Sequence, residues 1–361
     1  MRILIDIGHP AHVHLFRNIS SELEKKGHIV FYSIRDMKIV KQLMNAYGLK
    51  YYDLGHKRNS LLGKALAILE QDYKLYKFVR KNKIDIGISS GISLPHLSRI
   101  TPMKSFVFDD DDDDIEPLMV KYGHPFSDVI LTPHVIKRKS QKSLYYAGSH
   151  ELAYLHPNFF TPNVSVIERM GIKKDEPYFI MRFVAFHGHH DVGQSGITFE
   201  QKKRMINLIK PYGRIFITSE REIEPELEEY RLHVSPEDIH SFMAYATLVI
   251  GDSQTMISEA AVLGIPAIKC NTFAGKLSVP NDLEYKYELC YSYHPKDFDR
   301  FYAHIQSLLL NSNLKVEWQK KRAKMLADKI NVTAFFLWLI ENYPESKVVL
   351  KKDPNYQYRF K

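Results

Sequence analysis

The chain has 361 residues, 45% hydrophobic and 25% charged, an ordinary balance for a soluble globular protein with sequence enough for two domains and a large core. A disordered or fibrous chain is excluded, no run of about 18 apolar residues predicts a membrane span, and the N-terminus MRILIDIGHP lacks the pattern of a secretion signal. The net charge of +8 permits an anionic partner (a nucleotide, phospholipid headgroups or nucleic acid), and nucleic acid is disfavoured because the basic residues are scattered and no recognised binding module is present.

Strand-like and helix-like runs alternate from the first residue. Arg2 to Ile7 reads as a buried strand ending in Gly8-His9-Pro10, and Val13 to Lys26 carries apolar residues at helical spacing before Gly27. A strand at Ile29 to Ser33, helices at Lys38 to Tyr47 and Leu61 to Lys81, and strands at Ile84 to Ser89, Ser105 to Phe108 and Val129 to Leu131 follow. This order predicts a parallel sheet covered by helices.

Residues Pro133 to Pro162 read as a loop-rich zone, after which the alternation restarts. Tyr178 to Val184, Arg214 to Thr218, Leu248 to Ile250 and Ala267 to Lys269 are predicted strands; Thr198 to Lys210, Pro236 to Tyr245 and Ser253 to Leu263 are predicted helices between them. From Pro295 the chain is predicted helical until Tyr343, with a polar, basic and poorly ordered end. The expected partition is a first doubly wound domain over 1–160, a second over 161–330, and a C-terminal helix with a basic tail over 331–361. The strand C-terminal ends of the two domains would face a central cleft. Cys270 and Cys290 show no metal spacing and no disulfide framework, which fits a reducing compartment and buried small hydrophobes. A cytoplasmic location follows, with peripheral attachment to the inner face of an anionic membrane left open.

The stretch GDSQTMISEAAVLGIPAI, Gly251 to Ile268, leaves a buried strand and starts a helix. The amides opening a helix lack intrahelical partners, and with the helix dipole they favour an anion such as phosphate. Ser253 and Thr255 add hydroxyls, Glu259 lies one turn on, where a carboxylate can accept from a ribose diol, and Gly264-Ile265-Pro266 ends the helix. A routine N-cap and a solvated glutamate would read the same way.

Three further clusters are candidates. GHPAHVHLF places His9, His12 and His14 after the first strand, where an imidazole can serve as a general base, or merely cap the helix. RFVAFHGHHDVGQSG brings Arg182, His187, His189, His190 and Asp191 after the first strand of the second domain. Histidine and carboxylate there are a donor set for a divalent metal, but no spacing marks a closed site. The six aspartates Asp109 to Asp114 repel one another unless the loop is solvated or offset by cations. Asp109 or Asp110, nearest the strand, would then point to the ligand as a base or cation ligand, and Glu116 would join them.

YATLVIGDSQTMISEAAVLGIPAI resembles the nucleotide-sugar motif of glycosyltransferase-B proteins and of UDP-N-acetylglucosamine 2-epimerases. With DIGHPAHVHLFRNI, FDDDDDDIEP, SDVILTP and RFVAFHGHHDVGQSGIT, the chain is similar to a poorly characterised microbial family of that superfamily. The resemblance implies a glycosyltransferase-B fold of two Rossmann-like domains and places Ser253, Gln254 and Thr255 on a diphosphate and Glu259 on a ribose. It puts Arg182 and His187 beside the nucleotide sugar, and His9, His12, Asp109 and His189 become the candidate catalytic residues. Gln254 stands where glycine is common, and the Arg-Arg-Glu-Asn part of the epimerase segment after the first strand of the second domain is absent.

The expected activity is transfer of a sugar from a UDP-sugar to a glycan or lipid-linked acceptor, in surface polysaccharide or glycoconjugate synthesis. Arg182 or Lys276 would steady the leaving diphosphate, and no cofactor or divalent metal is required. The rivals are a UDP-sugar 2-epimerase or hydrolase and a non-catalytic nucleotide-sugar-binding module. Donor sugar, acceptor and oligomeric state are not readable from the sequence.

Overall fold

The computed structural model describes residues 1–55, 61–138, 140–184, 195–220 and 222–361, with the backbone alone for 61–65 and 68. The chain divides into two compact units, 1–154 with 330–361, and 155–329.

The first unit is built on seven strands: β1 (Arg2–Ile7), β2 (Ile29–Ile34), β3 (Tyr51–Asp53), β4 (Ile86–Ser89), β5 (Lys104–Phe108), β6 (Val129–Pro133) and β7 (Ser143–Tyr146). All pair in parallel in the order β3-β2-β1-β4-β5-β6-β7. Parallel strands need crossovers that cover both faces, and the apolar runs of β1, β4 and β6 are accordingly buried along nearly their whole length. The register pairs Ile5 with both Tyr32 and Ile88, which sets β1 inside the sheet between β2 and β4. Strand order reverses between β1 and β4, so the loops at their carboxyl ends open where doubly wound sheets hold ligands.

The second unit carries β8 (Tyr178–Phe183), β9 (Arg214–Ser219), β10 (Leu248–Gly251), β11 (Ala267–Cys270) and β12 (Cys290–Tyr293), again all parallel, in the order β12-β11-β10-β8-β9. Its reversal lies between β8 and β10, which places Arg182 and the Gly251–Ser253 turn together at the switch point. Both sheets are Rossmann-like. The helix Gln254–Leu263 after β10 buries all but its first two residues, as its run of small and apolar side chains requires.

Two segments differ from the sequence expectation. The zone 133–162 is not all loop: it contains β7 and the short helix Leu152–Leu155. Ser143–Tyr146 is too short to show a period, and it becomes a strand because β6 offers it a parallel edge. The C-terminal end is ordered, with a helix at Glu345–Lys352 and 3₁₀ turns at Pro354–Phe360. Its aromatic rings do this, Trp338 stacking on Tyr356 at 4.8 Å and approaching Phe360 at 5.4 Å, while Gln357 Oε1 accepts from the Ala147 amide at 2.6 Å. The segment 331–361, set apart in the sequence reading, thus packs within the first unit. Cys270 and Cys290 are buried and form no disulfide, and among the described residues no helix is long and apolar enough to cross a membrane.

Candidate functional site

In the second unit the site is built where β10 meets its helix. Gly251 is required there, since a Cβ would stand 2.0 Å from the Arg182 carbonyl oxygen; only a hydrogen side chain lets β10 run this close to β8. Ser253 caps the helix, its hydroxyl accepting from the Met256 amide at 3.4 Å. Asp252 is buried and its carboxylate accepts from the amides of Val184 at 2.8 Å and Ile197 at 3.4 Å, on either side of residues 185–194. The far end closes on Gly264, at φ +71°, where Arg322 Nε donates to the Val262 carbonyl at 2.9 Å and Gln319 Nε2 to that of Gly264 at 2.9 Å.

Cationic groups surround the helix start. Lys269, on β11 and 1% exposed, donates to Gln254 Oε1, and burial pushes its ammonium down to about 8. Asn271 Nδ2 donates to the same oxygen at 3.3 Å and to the Asp252 carbonyl at 2.8 Å. Arg182 donates to Thr218 Oγ1 at 3.1 Å and to Glu220 at 2.6 Å, both at the end of β9. The Arg182 Nε and Gln254 Nε2 donors are buried with no hydrogen-bond partner among the described residues. Buried donors left over at a helix N-terminus suit a ligand rich in acceptor oxygens.

Thr255 follows Gln254 in the first turn, half-buried, and Lys276 is exposed on the loop after β11. Glu259 is buried one turn deeper, its Oε1 2.9 Å from His240 Nε2. His187, His189, His190 and Asp191 lie outside the described residues.

In the first unit the site residues gather at the carboxyl ends of β1, β5 and β7. His9 caps the helix Pro10–Lys25, its Nδ1 accepting from the Ala11 amide at 3.2 Å. His12 Nδ1 accepts from the Gly8 amide at 3.3 Å, which leaves the ring proton on Nε2; burial and the neighbouring His9 and His150 push it down to about 3, so it stays neutral. His14 turns away into the packing, stacked on Tyr154 and 3.2 Å from the Tyr47 hydroxyl.

The aspartate run is held by cations, above all Arg138, which sequence reasoning missed. Its side chain is 1% exposed and reaches Asp109 Oδ1 at 2.8 Å, Asp113 Oδ1 at 2.7 Å, the carbonyls of Asp109 and Asp111 at 2.9 and 2.7 Å, and Thr132 Oγ1 at 2.9 Å. Both Asp109 oxygens are engaged, Oδ2 by His124 at 2.7 Å. Asp110 instead turns to His150, Oδ2 standing 3.0 Å from Nδ1. Glu116 begins the next helix, half-buried. His150 and Glu151, Lys269 and His240 complete the groups that sequence reasoning left unused or unassigned. The one available signal was Lys269, a charge inside the otherwise apolar strand AIKC.

Two Rossmann-like parallel-sheet units, each with a switch point in its strand order, define the glycosyltransferase-B class of fold. The chain belongs to a protein family of unknown function (DUF354), whose model matches residues 1–333. It is 24% identical over 285 residues to an uncharacterized protein of Methanocaldococcus jannaschii, covering 74% of this chain and 81% of that one. Among solved structures it is similar to S. aureus MnaA in co-structure with UDP (12% identity, TM-score 0.67, 96% and 97% of the two chains). It is also similar to the glycosyltransferase VinC in complex with dTDP (11%, 0.60, 93% and 98%). A third is the UDP-GlcNAc 2-epimerase from Neisseria meningitidis bound to UDP-GlcNAc (12%, 0.54, 91% and 100%).

Proposed function

We propose that the protein is a glycosyltransferase: the second unit binds a nucleotide sugar, a UDP-sugar, and the first binds a glycan or lipid-linked acceptor. The observation that carries this reading is the pair of buried donors, Arg182 Nε and Gln254 Nε2, that have no partner among the described residues, beside a capped helix N-terminus and the Lys269 ammonium. In this reading the amides of the helix start, with Ser253, Gln254 and Thr255, hold the diphosphate, and Glu259 takes the ribose. Arg182 and Lys269 supply the positive charge that a departing diphosphate needs, so no divalent metal is required. Similarity of fold to proteins bound to UDP and dTDP supports a nucleoside diphosphate as the ligand. The net charge of +8 supports an acceptor at an anionic membrane surface and a role in surface polysaccharide or glycoconjugate synthesis in the cytoplasm.

Thermal denaturation with a panel of nucleotides and nucleotide sugars tests the reading. A ligand at 100 times its Kd adds about 2.7 kcal/mol to stability. Stabilisation by UDP or dTDP compounds and not by the free sugars is expected; none with any nucleotide at millimolar concentration overturns the donor site.

The second reading, a UDP-sugar 2-epimerase, is favoured by the similarity to the Neisseria enzyme, all of whose chain is covered. Solvent deuterium appearing on the sugar carbon without any acceptor would select it over transfer.

A further inference from the structure

The turn after β7 holds two acid–base side chains that the donor site does not use. His150 and Glu151 are 9% and 7% exposed. Asp110 Oδ2 lies 3.0 Å from His150 Nδ1, which keeps the ring's proton on that side and leaves Nε2 as the free face. Among the described residues Nε2 is buried without a hydrogen-bond partner, as are Glu151 Oε2 and the hydroxyl of Tyr146, whose ring is fully buried. All three residues are within electrostatic reach of Asp110, and Glu151 is within reach of both His150 and Tyr146. An unsatisfied buried polar atom costs about 1–3 kcal/mol, so three in one place call for an occupant.

We infer that this cluster seats the acceptor hydroxyl and that His150, oriented by Asp110, is the base that deprotonates it, an inference that rests on the transferase reading. His9 and His12 are less suited: the Nδ1 of each accepts a backbone amide, and His12 is pushed too low to hold a proton near neutrality. Burial alone would lower His150, but Asp110, Glu151 and Asp109 outweigh it and hold the imidazole above its ordinary value, which strengthens the base. His12 faces it from the first helix, and Tyr146 and the Arg138 guanidinium stand beside the same carboxylates. Burial and the Asp110 charge push the Glu151 carboxyl up to about 7, so near neutrality it can grip the hydroxyl either as donor or as acceptor.

In the step, His150 Nε2 takes the hydroxyl proton while that oxygen bonds to the anomeric carbon. The bond from this carbon to the diphosphate oxygen breaks, and its electron pair leaves with the nucleoside diphosphate. Asp110 is a positioning residue that stabilises the imidazolium.

The test measures nucleoside diphosphate release from whichever UDP- or dTDP-sugar stabilises the wild-type chain most, with water and glycerol as hydroxyl probes. His150→Gln is expected to lower kcat by about 100-fold or more, the range of a lost general base, with donor binding changed by less than about 3-fold. Asp110→Asn, a surface-reaching change, keeps the fold testable should His150→Gln unfold. It lowers the imidazole's proton affinity, so the acid limb of the kcat/KM profile moves to lower pH, a shift that a merely structural role would not cause. Near wild-type kcat in His150→Gln, or an unmoved acid limb in Asp110→Asn, overturns the inference and leaves the donor site standing. So does a wild-type chain that binds donor but never releases the diphosphate. If no nucleotide sugar binds, the transferase reading falls and the inference with it.

Discussion

Arg138→Met tests how the aspartate run is tolerated. The guanidinium is 1% exposed and holds Asp109, Asp113, two carbonyls and Thr132. Methionine keeps most of the packing and removes every one of these donors. Among the described residues Asp109 then stays buried with only His124 and the Asp111 amide to answer its charge. Breaking a buried pair from one side costs about 3–5 kcal/mol. A unit of roughly 150–250 residues loses about 2–4 °C per kcal/mol, so its midpoint should fall by about 6–20 °C. The chain has two tryptophans, and Trp338 lies in the first unit while Trp318 lies in the second. Urea titration followed by fluorescence in a Trp318→Phe background therefore reads the first unit alone. Arg138→Lys should fall between, since an ammonium keeps the charge but not the planar fork. A loss below about 1 kcal/mol for Arg138→Met, the worth of an exposed pair, would refute the claim that this residue is what lets six aspartates stand together.

The remaining predictions concern the second unit. Lys269 is charged in the unfolded chain up to about 10.5 but only to about 8 when buried, so between those values the unfolded state binds more protons and stability rises with pH; denaturant midpoints of Lys269→Met should lose that rise, and parallel slopes for the two proteins would exclude it. Glu259→Gln preserves a hydrogen-bonding group against His240 but removes the charge, and should weaken nucleotide-sugar binding by about 10-fold, or about 1.4 kcal/mol, by calorimetry; unchanged affinity would remove Glu259 from the ribose. Gly264→Ala forces a φ of +71° on a residue whose Cβ would lie 2.7 Å from Arg322 Cδ, and a loss of about 1–2 kcal/mol or more is expected by denaturation.

The fold was legible because parallel strands buried on both faces write themselves as predominantly apolar runs, and β1, β5, β6, β8, β10 and β11 did so with at most two polar or charged positions each. β3 and β12 carry tyrosines at half-exposed edges, YYD and CYSY, where composition no longer separates strand from loop. β7 was missed for a related reason, since its sequence SLYY gains a strand's identity only from its neighbour. Ordering at the C-terminus was equally hidden, because the rings that secure it touch partners distant along the chain, Gln357 meeting Ala147.

The sites divide along the same line. The turn proposed to hold phosphate is local, Gly251 through Ser253 and the helix that follows, so its strand, cap and helix are adjacent in sequence and could be read directly. The groups that set its charge are not: Lys269 arrives from the next strand, Arg182 from β8, and His240 from the helix before the motif. In the first unit the acid–base pairing depends wholly on strand order. Asp110 leaves β5 and His150 leaves β7, two strands away across β6, and nothing in either local sequence announces that they meet. The histidines that did stand out, His9 and His12, flank the start of one helix, and each spends its Nδ1 acceptor on a nearby backbone amide. Proximity in sequence made them conspicuous, and the same proximity ties those nitrogens to local amides, whereas His150, delivered from another strand, turns its Nδ1 to the Asp110 carboxylate.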